Sequence, residues 1–108
     1  MASTKAYLEF VLEQLSPLEG ISVRAMMGEY LLYCGGKLVG GVYDDRLLLK
    51  ETPTARRLLE EAGLEAERDL PYEGAKKMLL ADVDRRELLQ KMVRSIADEL
   101  PAPKKKRG

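Results

Sequence analysis

Apolar positions along the chain follow two different periods. Between Thr4 and Leu15, residues Leu8, Val11, Leu12 and Leu15 recur at three- and four-residue spacing, with Glu9 and Glu13 between them. That spacing lays one apolar stripe along a helix. Ser3 or Thr4 can cap its start, and Ser16-Pro17 ends it, because a residue before proline is pushed out of the α region. From Ile21 onward the period shortens. Ile21-Ser22-Val23-Arg24-Ala25-Met26 alternates in strand fashion, Tyr30 to Cys34 is apolar and β-prone, and Lys37 to Tyr43 follows Gly35-Gly36. Two glycines between apolar runs predict a hairpin, since the favoured turns need positive φ at both central positions. Gly40-Gly41 inside the return strand marks a bulge or a close backbone approach. Asp44-Asp45 makes the next turn and Arg46 to Lys50 the next strand, which completes a four-stranded antiparallel meander.

Thr52-Pro53 then opens a second helix, threonine at the N-cap and proline at the first helical position. Leu58 and Leu59 form its buried stripe, Arg56–Glu60 and Arg57–Glu61 are spaced as surface pairs, and Gly63 suits its end. Residues 64–76 read as a loop punctuated by Pro71 and Gly74, and Met78 to Ala81 as a fifth strand. Asp84 and Glu87 have capping-box spacing and start a last helix carrying Leu88, Leu89, Met92, Val93, Ile96 and Leu100, which Pro101 and Pro103 terminate. The order α-β4-α-β-α predicts an α+β fold with helices packed on an antiparallel sheet. Leu31-Leu32-Tyr33, Leu47-Leu48-Leu49 and Met78-Leu79-Leu80 are apolar at both parities, so both sheet faces need cover. A second copy of the chain could supply it, and a homodimer is expected.

Composition changes this picture mainly by exclusion. The 108 residues are 45% apolar and 33% charged, which suits one globular domain, and no run is long and apolar enough for a membrane span. There is no histidine, which removes the commonest general base and metal ligand. One cysteine, Cys34, cannot close an intramolecular disulfide, and a cytoplasmic location is expected. The formal charge of zero hides an asymmetry. Four of the 18 basic side chains, Lys104, Lys105, Lys106 and Arg107, lie in the last five residues. Residues 1–103 therefore hold 14 basic against 18 acidic groups, a charge of −4. Residues 1–100 are expected to form the domain and 101–108 a disordered basic tail. Four cations support a salt slope of at most roughly −3.6 on duplex DNA, and no aromatic is interleaved for base stacking.

Few positions invite chemistry. Arg24-Ala25-Met26-Met27-Gly28-Glu29-Tyr30 joins a cation, two methionines, a glycine and a tyrosine at a strand junction. It reads either as a turn with methionines filling core gaps or as a contact surface led by Arg24 and Tyr30, residue types favoured at interface hot spots. Arg24 and Lys50 would approach each other if their strands pair. With Lys76 and Lys77 they form either an anion site or a solvated sheet edge on which cations discourage association. Cys34 lacks a histidine to activate it and reads as a structural thiol. Asp44-Asp45 and Asp82/Asp84 fall where turns and caps already favour aspartate. No catalytic set, metal site or cofactor site emerges. An enzyme would instead require a deep pocket gathering Tyr30, Lys50 and Tyr72.

With these residues placed, the chain resembles the N-terminal domain of the TfoX/Sxy family of bacterial competence regulators. The resemblance rests on Arg24-x-x-Met27-Gly28-x-Tyr30 with Tyr33, Gly36-Lys37, the Asp44-Asp45 turn, Leu47-Leu48-Leu49-Lys50 and Leu70-Pro71-Tyr72-Glu73-Gly74, and it spans about residues 4–100. It implies a secretion-chaperone-like α+β fold and a regulatory, non-enzymatic role; in full-length members that role is exercised with the cyclic-AMP receptor protein on DNA-uptake genes. Only the N-terminal part of the pattern is present, so a stand-alone domain is expected. The interaction surface is assigned to Arg24, Met27, Gly28, Tyr30, Tyr33, Lys50 and Tyr72, with a protein partner. The alternative is direct nucleic-acid contact through Arg24, Lys50, Lys76, Lys77 and the tail.

Overall fold

The computed structural model describes residues 3–101. The expected tail lies outside them, apart from Pro101. The elements are α1 (Lys5–Gln14), β1 (Ile21–Met26), β2 (Glu29–Cys34), β3 (Lys37–Val42), β4 (Leu47–Leu49), α2 (Pro53–Glu61), β5 (Arg68–Asp69), β6 (Met78–Leu80) and α3 (Arg86–Glu99). Six strands form one antiparallel sheet in the order β1-β2-β3-β4-β6-β5. The α+β class and the meander are as expected. The element order differs by one strand, because Arg68–Asp69 pairs with β6 inside the stretch expected to be loop.

All three meander turns are two-residue hairpins with positive φ at both central positions: Met27-Gly28 at 51° and 86°, Gly35-Gly36 at 62° and 81°, Asp44-Asp45 at 53° and 58°. This backbone twist matches the twist of the strands it joins. Both readings of Gly40-Gly41 hold. The β2–β3 register slips beside Leu32 and Tyr33, and a Cβ on Gly40 would sit 2.1 Å from the Leu48 carbonyl oxygen.

The helices cover one face. Leu8, Val11 and Leu15 from the first helical segment, Ala55 and Leu59 from α2, and Leu89, Val93 and Ile96 from α3 pack on Leu32, Val39, Val42, Leu47, Leu49 and Leu79. Thr4 caps α1 by accepting from the Tyr7 N–H, and Thr52 caps α2 by accepting from the Ala55 N–H. Buried Gln14 donates to the Val83 carbonyl at 2.6 Å and receives Gln90 on its own carbonyl, which ties α1 to the entry of α3. At the other end of α3 Lys37 donates to the Ala97 carbonyl at 2.8 Å, a cation at the negative end of a helix.

Two local expectations are corrected. The Asp84–Glu87 capping box does not form. Asp82 accepts from the Asp84 N–H in a turn of its own, and the helix begins at Arg86 with no side-chain cap. Arg56 pairs with Glu51 at 3.6 Å instead of Glu60, because Glu51 already converges there with Arg68; Arg57–Glu61 stands at 3.9 Å.

Candidate functional site

The second sheet face carries the site. Alternation sends Leu31, Tyr33, Leu38, Leu48 and Met78 away from the helices, since their neighbours Leu32, Cys34, Val39, Leu47, Leu49 and Leu79 belong to the helix-side core. Leu48 is fully buried although it is no part of that core. Its cover comes from within the chain. The Tyr43 ring lies across Gly41, which pairs with Leu48, and a Cβ on Gly41 would meet that ring at 2.7 Å. Tyr72, from the segment after β5, forms an inclined aromatic pair with Tyr43, ring centroids 6.3 Å apart and planes at 60°.

Arg46 holds that segment down. Its guanidinium donates to Asp69 at 2.7 Å, to the Leu70 carbonyl at 3.0 Å and to the Tyr43 carbonyl at 3.1 Å. Pro71 is buried behind it, and the Ala75 N–H closes a turn onto the Tyr72 carbonyl. Between the 70–77 segment and β3–β4 lies an open cleft of about 460 Å³. Leu38, Tyr43, Tyr72 and Met78 give it apolar walls, and Lys50, Lys76 and Lys77 stand on it as cations. Glu51 also reaches it, but Arg68 holds both its carboxylate oxygens at 2.7 and 2.6 Å. Those hydrogen bonds keep the Glu51 carboxyl below the usual carboxylate range. Burial first, then the neighbouring Tyr72, pushes the Tyr43 hydroxyl up, so it stays protonated at neutral pH.

The β1–β2 half of the same face is open. Arg24 is exposed opposite Leu31, Ser22 is exposed opposite Tyr33, and β1 is an edge strand. The hairpin ends in Met26, Met27 and Gly28. Met27 is 97% exposed with φ at 51°, an unfavourable backbone for a side chain of that size.

The residues expected to form one surface thus divide. Lys50 and Tyr72 share the cleft with Lys76 and Lys77. Arg24 and Tyr33 lie on the open half of that face, and Met27 and Gly28 form the hairpin tip. Tyr30 packs against the helix-side core beside Val42, on the opposite face. The condition for Arg24 to approach Lys50 is not met, since their strands do not pair and β2 and β3 separate them by roughly 14 Å of sheet. Tyr30, Lys50 and Tyr72 do not gather in one pocket. Cys34 is buried, and burial followed by Asp98 raises its thiol pKa, the reverse of an activated nucleophile.

Sequence reasoning missed Tyr43, Leu38 and Met78 as wall residues. Alternation could have placed Leu38 and Met78 on one face. Nothing local points Tyr43 across Gly41. No group of three potential metal-ligating side chains occurs among the described residues, and no helix among them is long and apolar enough to cross a membrane.

Residues 13–96 match the sequence profile described as TfoX N-terminal domain. The chain is also 38% identical over 110 residues to a protein of Spirochaeta aurantia described as an uncharacterized 12.7 kDa protein in the trpE 5′ region. That alignment covers all of this chain and 92% of the relative.

Proposed function

Since the chain belongs to the TfoX N-terminal domain family, we propose that it is a non-enzymatic regulatory or adaptor domain acting by protein–protein contact in bacterial transcription or competence control. One observation carries this reading. The open β1–β2 half of the sheet face, with Arg24, Leu31 and Tyr33, runs into a hairpin tip whose methionine is almost wholly exposed on an unfavourable backbone. Strain at a solvent-facing apolar side chain contributes nothing to the core and suits a contact residue. A second copy seated on Leu31 and Tyr33 is the expected homodimer, formed in the cytoplasm.

Capture from the native cell extract tests it. Wild type should retain a partner that Arg24→Ala/Met27→Asn loses; recovery of the same proteins by both would falsify the reading. Tyr30 is unsuitable for this variant because it packs against the core. Light scattering at tens of micromolar tests the dimer, and a monomer mass excludes it.

The second reading is a nucleic-acid-binding domain. Lys50, Lys76 and Lys77 around an exposed tyrosine support it; the distance to Arg24 and the acidic charge of residues 1–103 speak against it.

A further inference from the structure

We propose that the cleft between the 70–77 segment and the sheet is a mononucleotide site, the base lying against Tyr72 and the phosphate monoester held by Lys50, Lys76 and Lys77. The proposal is independent of the adaptor reading, whose contact residues lie on the other half of the face.

Three features select this ligand class. The first is charge. The cleft's carboxylate, Glu51, is neutralised by Arg68 and Arg56, and Asp69, the acid near Lys77, is bonded to Arg46. The three lysines have no carboxylate within ion-pair distance among the described residues. Their charge is left for a ligand. Lysines are compact point charges, suited to the spread charge of a phosphate; a planar carboxylate is better met by the fork of an arginine, and among the described residues no arginine lines the cleft.

The second feature is the wall. Tyr72 is 62% exposed and at the same time paired with buried Tyr43, ring planes at 60°, so a largely solvent-facing aromatic ring is already positioned at the cleft. Leu38 and Met78 beside it give an apolar floor for the ring edge. The third feature is extent. A volume of about 460 Å³ lies within the ordinary range for small ligands. Tyr72 is the one exposed aromatic on the cleft, enough to stack a single base and too few to track a strand. Residues 1–103, with a charge of −4, give a polyanion no general attraction.

The test is a titration of the full chain followed by amide NMR. The probes are adenosine 5′-monophosphate, adenosine, inorganic phosphate and a short deoxyadenosine strand. The monophosphate should saturate shifts in residues around Leu38, Lys50 and 72–78, and should bind at least fivefold more tightly than adenosine or phosphate alone. Tyr72→Ala should weaken it about fivefold or more through lost stacking, and Lys76→Ala/Lys77→Ala about tenfold through lost charge-assisted bonds. All three side chains are exposed, so circular dichroism should confirm an unchanged fold. Absence of saturable shifts at millimolar monophosphate, wild-type affinity in both variants, or equal affinity for phosphate alone would overturn the site. Tighter binding of the strand than of the monophosphate would overturn it in favour of the nucleic-acid reading. Arg24→Ala/Met27→Asn should bind the monophosphate as wild type does, and loss there would place the ligand on the wrong half of the face.

Discussion

Met27 and Gly40 are two residues whose backbone surroundings make sharp demands. Met27 occupies the first position of a turn that asks for φ above zero, where asparagine or glycine is usual. Its side chain is solvated and gives little packing in return. Met27→Asn should therefore stabilise the domain by about 0.5–1 kcal/mol, since the left-handed region costs an ordinary residue about 1–2 kcal/mol and asparagine less. A thermal melt should rise by several degrees. An unchanged or lowered midpoint would mean that Met27 packs on something it needs, and strain could no longer be the sign of a contact residue. Gly40 is constrained from outside. Any Cβ there meets the Leu48 carbonyl oxygen and the Leu49 Cα, both backbone and unable to yield cheaply. Gly40→Ala should destabilise by about 3 kcal/mol, the upper part of the usual overpacking range, and separate β3 from β4. A urea midpoint close to wild type would show that the β3–β4 spacing is softer than its geometry indicates.

At the scale of elements, the 70–77 segment is the feature that decides whether the cleft exists. Its anchors are two hydrogen bonds from Arg46, to Asp69 and to the Leu70 carbonyl, and the aromatic contact of Tyr72 with Tyr43. Arg46→Ala should lower stability by only about 1 kcal/mol, because the ion pair is partly solvated. Its effect on the segment should be larger. Amides at 69–75 should exchange faster with deuterium while those of β2 and β3 keep their protection, as expected for local release without global unfolding. Uniformly faster exchange would mean that Arg46 supports the whole sheet. The same anchors explain which elements were legible in the sequence. The meander could be read because each of its turns is local: Gly35-Gly36 and Asp44-Asp45 announce themselves within a few residues. The helix starts at Thr52-Pro53 and Thr4 were equally local. β5 was not legible, because a two-residue strand exists only through its partner β6, ten residues away, and has no period of its own. The Asp84 capping box failed for a related reason. Asp82 competes for the same turn, and spacing alone cannot rank two aspartates. In the site, lysines and Tyr72 could be named from sequence, but their meeting depends on Arg46 reaching Asp69 across 23 residues.

For the whole molecule, the absence of histidine and the placement of the outlying carboxylates fix how stability should follow pH. Three acids have carboxyls held below their usual range. Glu51 is held mainly by hydrogen bonds from Arg68, Asp69 by the Leu70 N–H and then Arg46, and Glu99 by the Thr54 hydroxyl. Each joins separate elements: Glu51 links the α2 entry to β5, Asp69 links β5 to the β3–β4 turn, and Glu99 links the end of α3 to the start of α2. On acidification the unfolded chain takes up these protons first. The stabilisation is therefore complete above the ordinary carboxylate range, near pH 4–4.5, and is lost as pH falls through the depressed folded values. The opposite limb comes from Cys34, Tyr7 and Tyr43, whose pKa values are raised chiefly by burial. There the unfolded chain ionises first, so stability is complete below the ordinary thiol value near pH 8.5 and is lost as pH rises through the raised values. Between these limbs no side chain of the usual histidine range exists to titrate. Urea midpoints should thus form a plateau from about pH 5.5 to pH 8 and fall on both sides. The acid limb should become shallower in added salt, because all three carboxylates sit on accessible bonds that counterions screen. A slope within the plateau would require a strongly shifted lysine or carboxylate. Arg68, whose pKa is raised by its hydrogen bonds to Glu51, stays charged throughout. A sloping plateau would therefore contradict the electrostatic arrangement as a whole, beyond any one pair in it.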